Sequence, residues 1–314
     1  MGSSVAAPRA EVVVVGSVNA DLVLEVVRHP APGETLIGGS SRLGPGGKGA
    51  NQAVAAALRG VRVAMVGAVG DDPYAEPALQ GLRAAGVDLS EVRVRPGATG
   101  LAVVTVDAQG ENSIIVVPGA NASVTPERVD EAAVVLRTAR VVVLQAEIPF
   151  DSVARAAQVA SGAGVRVLLN LAPSARLPRE TVLVADPLVV NEHEAADVAA
   201  WLAPGVAPAG DLLAVGAALA EALHAVGVPS VVVTLGPLGA VGADGAGGWH
   251  VPGRRVVARD TTGAGDAFVG AIAASLARGT ALRAAAEEAV RVAAFSVARA
   301  GAQDSYPHRE DPLP

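Results

Sequence analysis

The chain has no cysteine. Disulfide frameworks, thiolate nucleophiles and cysteine-type zinc sites are therefore excluded. Aromatic residues are also scarce, 2% of 314 positions in a chain that is 51% hydrophobic. The core must then be built from Val, Leu, Ala and Ile, and the few large rings (Trp201, Trp249, Phe295) read as packing residues rather than base-stacking platforms. Positive charge is in deficit, with 18% charged residues and a net charge of −7. A chain of that balance lacks the basic face that nucleic-acid binding requires. No apolar run approaches the roughly 18–20 residues of a membrane helix. Residues 1–10 hold one Arg and no apolar core, so they read as a disordered leader and not as a signal peptide. The five histidines are scattered without metal-ligand spacing. The default is a soluble cytoplasmic protein of one large domain, or of a domain with a small appendage, with neither nucleic acid nor membrane as partner.

The most organised stretch is Asp260-Thr261-Thr262-Gly263-Ala264-Gly265-Asp266, followed at once by the apolar run 267–272. It reads as a turn feeding a helix N-terminus. Small residues leave the amides of Gly263, Ala264 and Gly265 open, and helix-start amides have no intrahelical partner, so the turn can hold an anion. Asp266 falls in the first helical turn and faces the same spot. An attack by a hydroxyl on phosphorus needs a proton acceptor, donors for the phosphoryl oxygens and a divalent ion. Asp266 can be the first and the glycine turn the second.

Strand 11–18 ends at the polar residues Asn19 and Asp21. These are either ligand contacts at the carboxyl end of a strand or an Asx turn leaving it. Residues 22–43 and 91–117 lack helical period and read as short strands, with 99–117 a hairpin; together they would form a small sheet outside the main layer. Between them Gly44-Pro45-Gly46-Gly47-Lys48-Gly49-Ala50-Asn51 reads as a loop before helix 52–58. It contains GxGxxG but does not follow the first strand, so it is no dinucleotide fingerprint. Lys48 is followed by Gly, so it is no P-loop either. From residue 123 onward strands and helices alternate: helices 125–137, 150–161, 192–202 and 211–225, strands 140–144, 165–169, 187–190 and 230–234, then helices 264–277 and 281–298. The expected fold is a three-layer αβα domain with a mostly parallel central sheet and a small separate β-sheet, which can cover a ligand site or pair with another subunit. Polar residues recur at the strand ends (Asn19, Asp21, Glu147, Asn170, Asn191, Thr234, Asp260) and should line one crevice. Asn191 and Glu194 fit a capping box, or Glu194 could position hydrated magnesium through waters. The glycines of 234–239, with Thr234, would let the backbone approach a nucleotide.

These motifs identify the chain as similar to the ribokinase/PfkB group of carbohydrate kinases over residues 12–307. Residues 260–266 match the group's DTxGAGD signature and 46–51 its GGKGAN signature. Asn19-Ala20-Asp21, Gly119-Ala120-Asn121, Asn191-xx-Glu194 and Gly301-Ala302-Gln303 also match. The resemblance implies transfer of the ATP γ-phosphoryl to the 5-hydroxyl of D-ribose, or by an alternative reading to another pentose such as deoxyribose or to a nucleoside. It makes Asp266 the base and Gly263, Ala264 and Gly265 the anion hole. Asn19, Asp21, Gly47, Lys48, Asn51 and Glu147 would hold the sugar. Asn191, Glu194, Thr234, Gly236, Gly239 and Gly265 would lie along ATP and its magnesium. Asp260, Thr262, Ser296, Arg299, Gly301 and Ser305 would surround a potassium ion. The resemblance also makes the small sheet a lid, and a homodimer formed through that lid is a further implication. Val290 and Leu171 depart from the group's pattern, Val290 where many relatives carry Asn or His near the adenine.

Overall fold

In the computed structural model, which describes residues 10–314, two sheets organise the chain. Thirteen strands are formed: β1 (Val12–Val15), β2 (Asn19–Glu25), β3 (Ser40–Gly46), β4 (Val63–Gly70), β5 (Asp88–Arg95), β6 (Gly100–Val106), β7 (Asn112–Val117), β8 (Val141–Leu144), β9 (Arg166–Asn170), β10 (Ala185–Asn191), β11 (Val231–Thr234), β12 (Gly239–Asp244) and β13 (Gly247–Pro252). Nine make one sheet in the order β13-β12-β11-β10-β9-β8-β1-β4-β5. It is parallel from β11 to β5, with β12 and β13 added antiparallel at one edge. The other four form a small sheet, β3-β2-β6-β7. The helices are α1 (Lys48–Leu58), α2 (Ala75–Ala84), α3 (Pro126–Glu131), α4 (Ala133–Thr138), α5 (Phe150–Gly162), α6 (Arg179–Leu183), α7 (Glu192–Leu202), α8 (Leu212–Ala225), α9 (Ala264–Ala277) and α10 (Leu282–Val297). None is long and apolar enough to cross a membrane among the described residues.

The four valines of β1 show why the sheet is covered on both faces. Successive side chains on a strand point to opposite faces. Val12 and Val14 enter the core under α1, α2, α9 and α10, whereas Val13 and Val15 enter the core on the other face. In α9 every residue from Asp266 to Ala277 is buried. A Cβ on Gly270 would come within 2.5 Å of the Ala55 side chain and 2.7 Å of the Gln52 carbonyl. That bare position lets α9 and α1 close on each other, and it sets the distance between the DTxGAGD and GGKGAN segments.

Several sequence expectations need correction. The stretch 44–51 is not all loop, because α1 already starts at Lys48; Gly47, at φ +86°, serves as its N-cap. The helix expected over 125–137 breaks at Ala132 into α3 and α4. Residues 91–95 belong to β5, paired in parallel with β4 at the edge of the large sheet and not to the lid. Their alternation fits a half-buried strand in either sheet and could not tell the two apart. The strand expected over 11–18 ends at Val15, and Asn19 and Asp21 stand on β2 of the small sheet instead of at its end. The short helix α6 has no counterpart among the expected elements. The leader over residues 1–10 lies outside the described residues except for Ala10.

Candidate active site

Asp266 sits in the first turn of α9 and is buried, yet it faces a cleft. The cleft is lined by Lys48, Asn191, Glu194, Thr234, Gly263, Gly265 and Asp266 among others. Residues expected to serve sugar, phosphoryl group and nucleotide thus share one wall. The N-cap of α9 is Gly263, in the left-handed region at φ +73°. An added Cβ there would approach the Tyr306 hydroxyl to 2.5 Å, and that hydroxyl donates to the Gly263 carbonyl at 3.1 Å. The amide of Ala264 is already used, donating to the Thr261 carbonyl at 3.2 Å. The open donors of the turn are therefore the amides of Gly263 and Gly265, and a Cβ on Gly265 would meet only open space.

The residues expected to hold the sugar are gathered by β2 and the start of α1, with Glu147 following β8. Asn121 clamps the main chain of Val18 in both directions, accepting from its amide at 2.9 Å and donating to its carbonyl at 3.2 Å. The same amide group donates to Asn19 Oδ1 at 2.7 Å and fixes that side chain. Glu147 accepts from Ser17 Oγ at 2.6 Å and from the Lys48 amide at 3.0 Å. Asn19 and Glu147 line a second cavity that is closed by Val116 of β7 and by Pro118, Pro149 and Pro173. Asp21 lines a small recess with Arg42, Thr262 and Gln303. Its carboxyl stands where a Cβ of Gly46 would be, and its Oδ1 is buried with no hydrogen-bond partner. Gly47 supports Asn19 sterically, because a Cβ there would press on the Asn19 amide.

Acids outnumber bases here. Burial first, then the charges of Glu147 and Asp266, push the Asp21 carboxyl up to about 7, against the pull of Arg42 and Lys48. Lys48 is held above the ordinary lysine range by Asp266 and, more weakly, by Glu147, Glu194 and Asp21, with burial opposing. Burial likewise raises the Glu194 carboxyl. A polyanionic ligand would meet this acid excess unfavourably unless cations accompany it.

Asn191 and Glu194, expected to lie along the nucleotide, form a capping box: Asn191 Oδ1 accepts from the Glu194 amide at 2.8 Å, and Glu194 Oε2 from the Asn191 amide at 2.8 Å. Glu194 nevertheless lines the cleft. Gly236 and Gly239 are outside the cleft-lining set; a Cβ on Gly239 would collide with the Val251 carbonyl, so its bareness also serves β13. Val290 and Leu171 are both buried in the core.

Of Asp260, Thr262, Ser296, Arg299, Gly301 and Ser305, hydrogen bonds join Asp260 to Thr262 and Gly301, and Ser296 to Arg299 and Ser305. Asp260 accepts from the Thr262 amide at 2.9 Å and from the Gly301 amide at 2.8 Å. Burial opposes its charge, but these bonds outweigh burial and hold the carboxyl below its usual range. The Ser296 and Ser305 hydroxyls meet. Arg299 lays its guanidinium over the Phe295 ring, 3.4 Å from the centroid, leaving its main-chain carbonyl as the group a cation could use. One carboxylate with hydroxyl and carbonyl oxygens suits a monovalent ion. The described residues include no group of three or more acids and histidines that could cage a divalent one.

Sequence reasoning placed these residues but missed what supports them. Gln52, Ser17, Arg42 and Tyr306 had no signal of their own, although Gln52 directly follows the GGKGAN motif. Asn121, Gln145, Asn170 and Gln303 stood in motifs or at strand ends without an assigned role.

The family model described as pfkB family carbohydrate kinase matches residues 9–309. A deoxyribokinase of Salmonella typhimurium is 37% identical over 302 residues, covering 96% of each chain. A ribokinase of Bacillus subtilis is 38% identical over 299 residues, covering 95% of this chain and 96% of the relative. The structure of Arabidopsis thaliana ribokinase complexed with ribose and ATP superposes with a TM-score of 0.86 at 33% identity, covering 96% of this chain and 97% of that one. With its signature turn capping α9 and its match over nearly the whole length, the chain belongs to the pfkB family of carbohydrate kinases.

Proposed function

We propose that the protein phosphorylates D-ribose at the 5-hydroxyl with ATP. The observation that carries this reading is the shared cleft, where Asp266 and the open amides of Gly263 and Gly265 stand beside Lys48, Glu194, Asn191 and Thr234. Asn19, Asp21, Gly47, Lys48, Asn51 and Glu147 hold the sugar. The unpartnered Oδ1 of Asp21 calls for a hydroxyl donor, which favours a polyhydroxylated ligand. Asp266 accepts the proton of the attacking hydroxyl, and the turn amides, with Ala264 holding the turn's shape, receive the phosphoryl oxygens. A carboxylate is a sufficient base where proton transfer comes late. Gly236 and Gly239 shape the loop beside the nucleotide.

Magnesium would enter with the ATP phosphates, reached by Glu194 through waters, and would neutralise phosphate charge in the acid-rich cleft. The Asp260 set would hold potassium and so stiffen the glycine turn. The dimer forms through β7, the lid's edge strand, whose Ile114, Ile115, Val116 and Val117 are all exposed. Val116 faces the sugar cavity, so alternation turns Ile115 and Val117 toward the partner. A cytoplasmic site of action agrees with the use of ATP.

A second reading, phosphorylation of 2-deoxyribose, is favoured by the 37% identity to a deoxyribokinase. Competition separates the two. A site built to hydrogen-bond a hydroxyl rejects an analogue lacking it by a large factor, on the order of 10⁴. With both sugars present, kcat/KM should favour ribose; a preference for deoxyribose would move the assignment to the second reading.

A further inference from the structure

Two chains of buried amides end on a single carboxylate. On one side Gln303 Nε2 donates to Asn51 Oδ1 at 2.8 Å, and Asn51 Nδ2 donates to Asp266 Oδ2 at 2.9 Å. On the other, Gln145 Nε2 donates to Gln52 Oε1 at 2.7 Å, and Gln52 Nε2 donates to Asp266 Oδ1 at 2.9 Å. Gln52 Nε2 also donates to Asn170 Oδ1 at 2.9 Å, and Asn170 is tied to the Val189 carbonyl at 3.0 Å, which anchors this arm to the large sheet. All four relay amides are buried.

The direction of these bonds is informative. An ionised carboxylate only accepts, so it orients each inner amide, and each inner amide orients the outer one. The consequence is a bare acceptor at each far end: Gln145 Oε1 and Gln303 Oε1 are both buried without a partner. Such atoms cost stability and call for a compensating role. Each also lies where a glycine makes room, since a Cβ on Gly16 would collide with Gln145 Oε1 and one on Gly81 with Gln303 Oε1. Gly81 lies inside α2, where alanine would suit the helix better.

We infer that the pairs Gln303–Asn51 and Gln145–Gln52 are two relays that fix the rotation of the Asp266 carboxylate for the phosphoryl transfer. Gln52, Gln145 and Gln303 are then positioning residues for the reaction; this rests on the reading of Asp266 as the base. With one donor on each oxygen the carboxylate cannot spin, and each oxygen keeps a further lone pair for the incoming hydroxyl. Gln303 and Gln145 act only through Asn51 and Gln52.

The test uses the full chain with Gln303→Leu, Gln52→Met and Gly81→Ala, measuring kcat, ribose KM and thermal midpoint for each. Small misplacements of a reacting group can cost up to about 100-fold in rate, so kcat should fall at least about tenfold in the glutamine variants. Ribose KM should stay within about threefold for Gln52→Met, because an interaction that acts on the transition state leaves ground-state binding alone. Gln303→Leu and Gly81→Ala also loosen Asn51, which holds the sugar, so there KM rises while kcat still falls. Gly81→Ala displaces only the end of a flexible side chain, so it should lower kcat while the midpoint does not drop. Unchanged kcat in all three variants of a protein that turns over ribose overturns the inference by itself. So does a kcat loss seen only with a collapsed midpoint while Gly81→Ala stays fully active. If the unmodified protein turns over no sugar, the base reading and the inference fall together.

Discussion

Tyr306 donates its hydroxyl to the carbonyl of Gly263, 43 positions earlier in the chain, at 3.1 Å. The phenol is fully buried, and burial, followed by the charges of Asp266 and Asp21, pushes it well above its ordinary range, so it stays a neutral donor. The bond holds the one residue of the anion turn that adopts a left-handed backbone.

Tyr306→Phe removes that bond and little else. A hydrogen bond of this kind is worth about 1 kcal/mol, and if the turn feels all of it in the transition state, the rate falls roughly fivefold. Melting curves and steady-state kinetics with ribose and ATP check both effects. A variant with unaltered kcat would mean that the turn holds its shape without Tyr306.

Asp21 makes the sugar-free protein sensitive to pH. Burial and the neighbouring acids push its carboxyl up to about 7 in the folded chain, against an ordinary value of 3.8. Between those two values the folded state binds a proton that the unfolded chain has released, so stability falls as pH rises. The contribution is fully present below about pH 4 and lost above about 7, on the order of a few kcal/mol. Asp21→Asn should therefore gain on the unmodified protein from about pH 4 to 7, with the difference levelling beyond. Parallel stability curves for the two proteins across that window would refute the assignment.

The lid and the site differ in how much of each could be read from residues alone. Asp266 and the glycine turn were legible because an anion turn opening a helix is local chemistry, written in seven consecutive residues. Lys48 and Asn51 were named, but the helix holding them was not: Gly46, Gly47 and Gly49 suggest a loop. What starts α1 there is tertiary, the Ala50 amide donating to the Ser17 carbonyl at 2.9 Å. The relay amides were opaque for the same reason, since Gln303 meets Asn51 across 252 positions and no local pattern encodes such a meeting. For 91–95, strand character was readable but the sheet it joins was not, because pairing partners are chosen by the fold.

The exposed edge of β7 predicts an oligomer. Ile115 is 67% exposed on the strand face turned away from the sugar cavity. Ile115→Glu places a charge there, and like charges meeting across a two-fold interface oppose association. Sedimentation should show a dimer for the unmodified protein and a monomer for the variant. A monomer in both cases would remove the lid as an interface.

Ribose-dependent release of ADP shows whether Asp266 is the base for ribose phosphorylation. The assay contains ATP, magnesium and potassium, with the unmodified protein and Asp266→Asn compared at equal ribose occupancy. The expected result is ribose-dependent ADP and a 5-phosphate product from the unmodified protein, with a loss of at least about 100-fold in kcat for Asp266→Asn and ribose binding retained. No ribose-dependent ADP with any monovalent cation, or a variant as active as the unmodified protein, would contradict it.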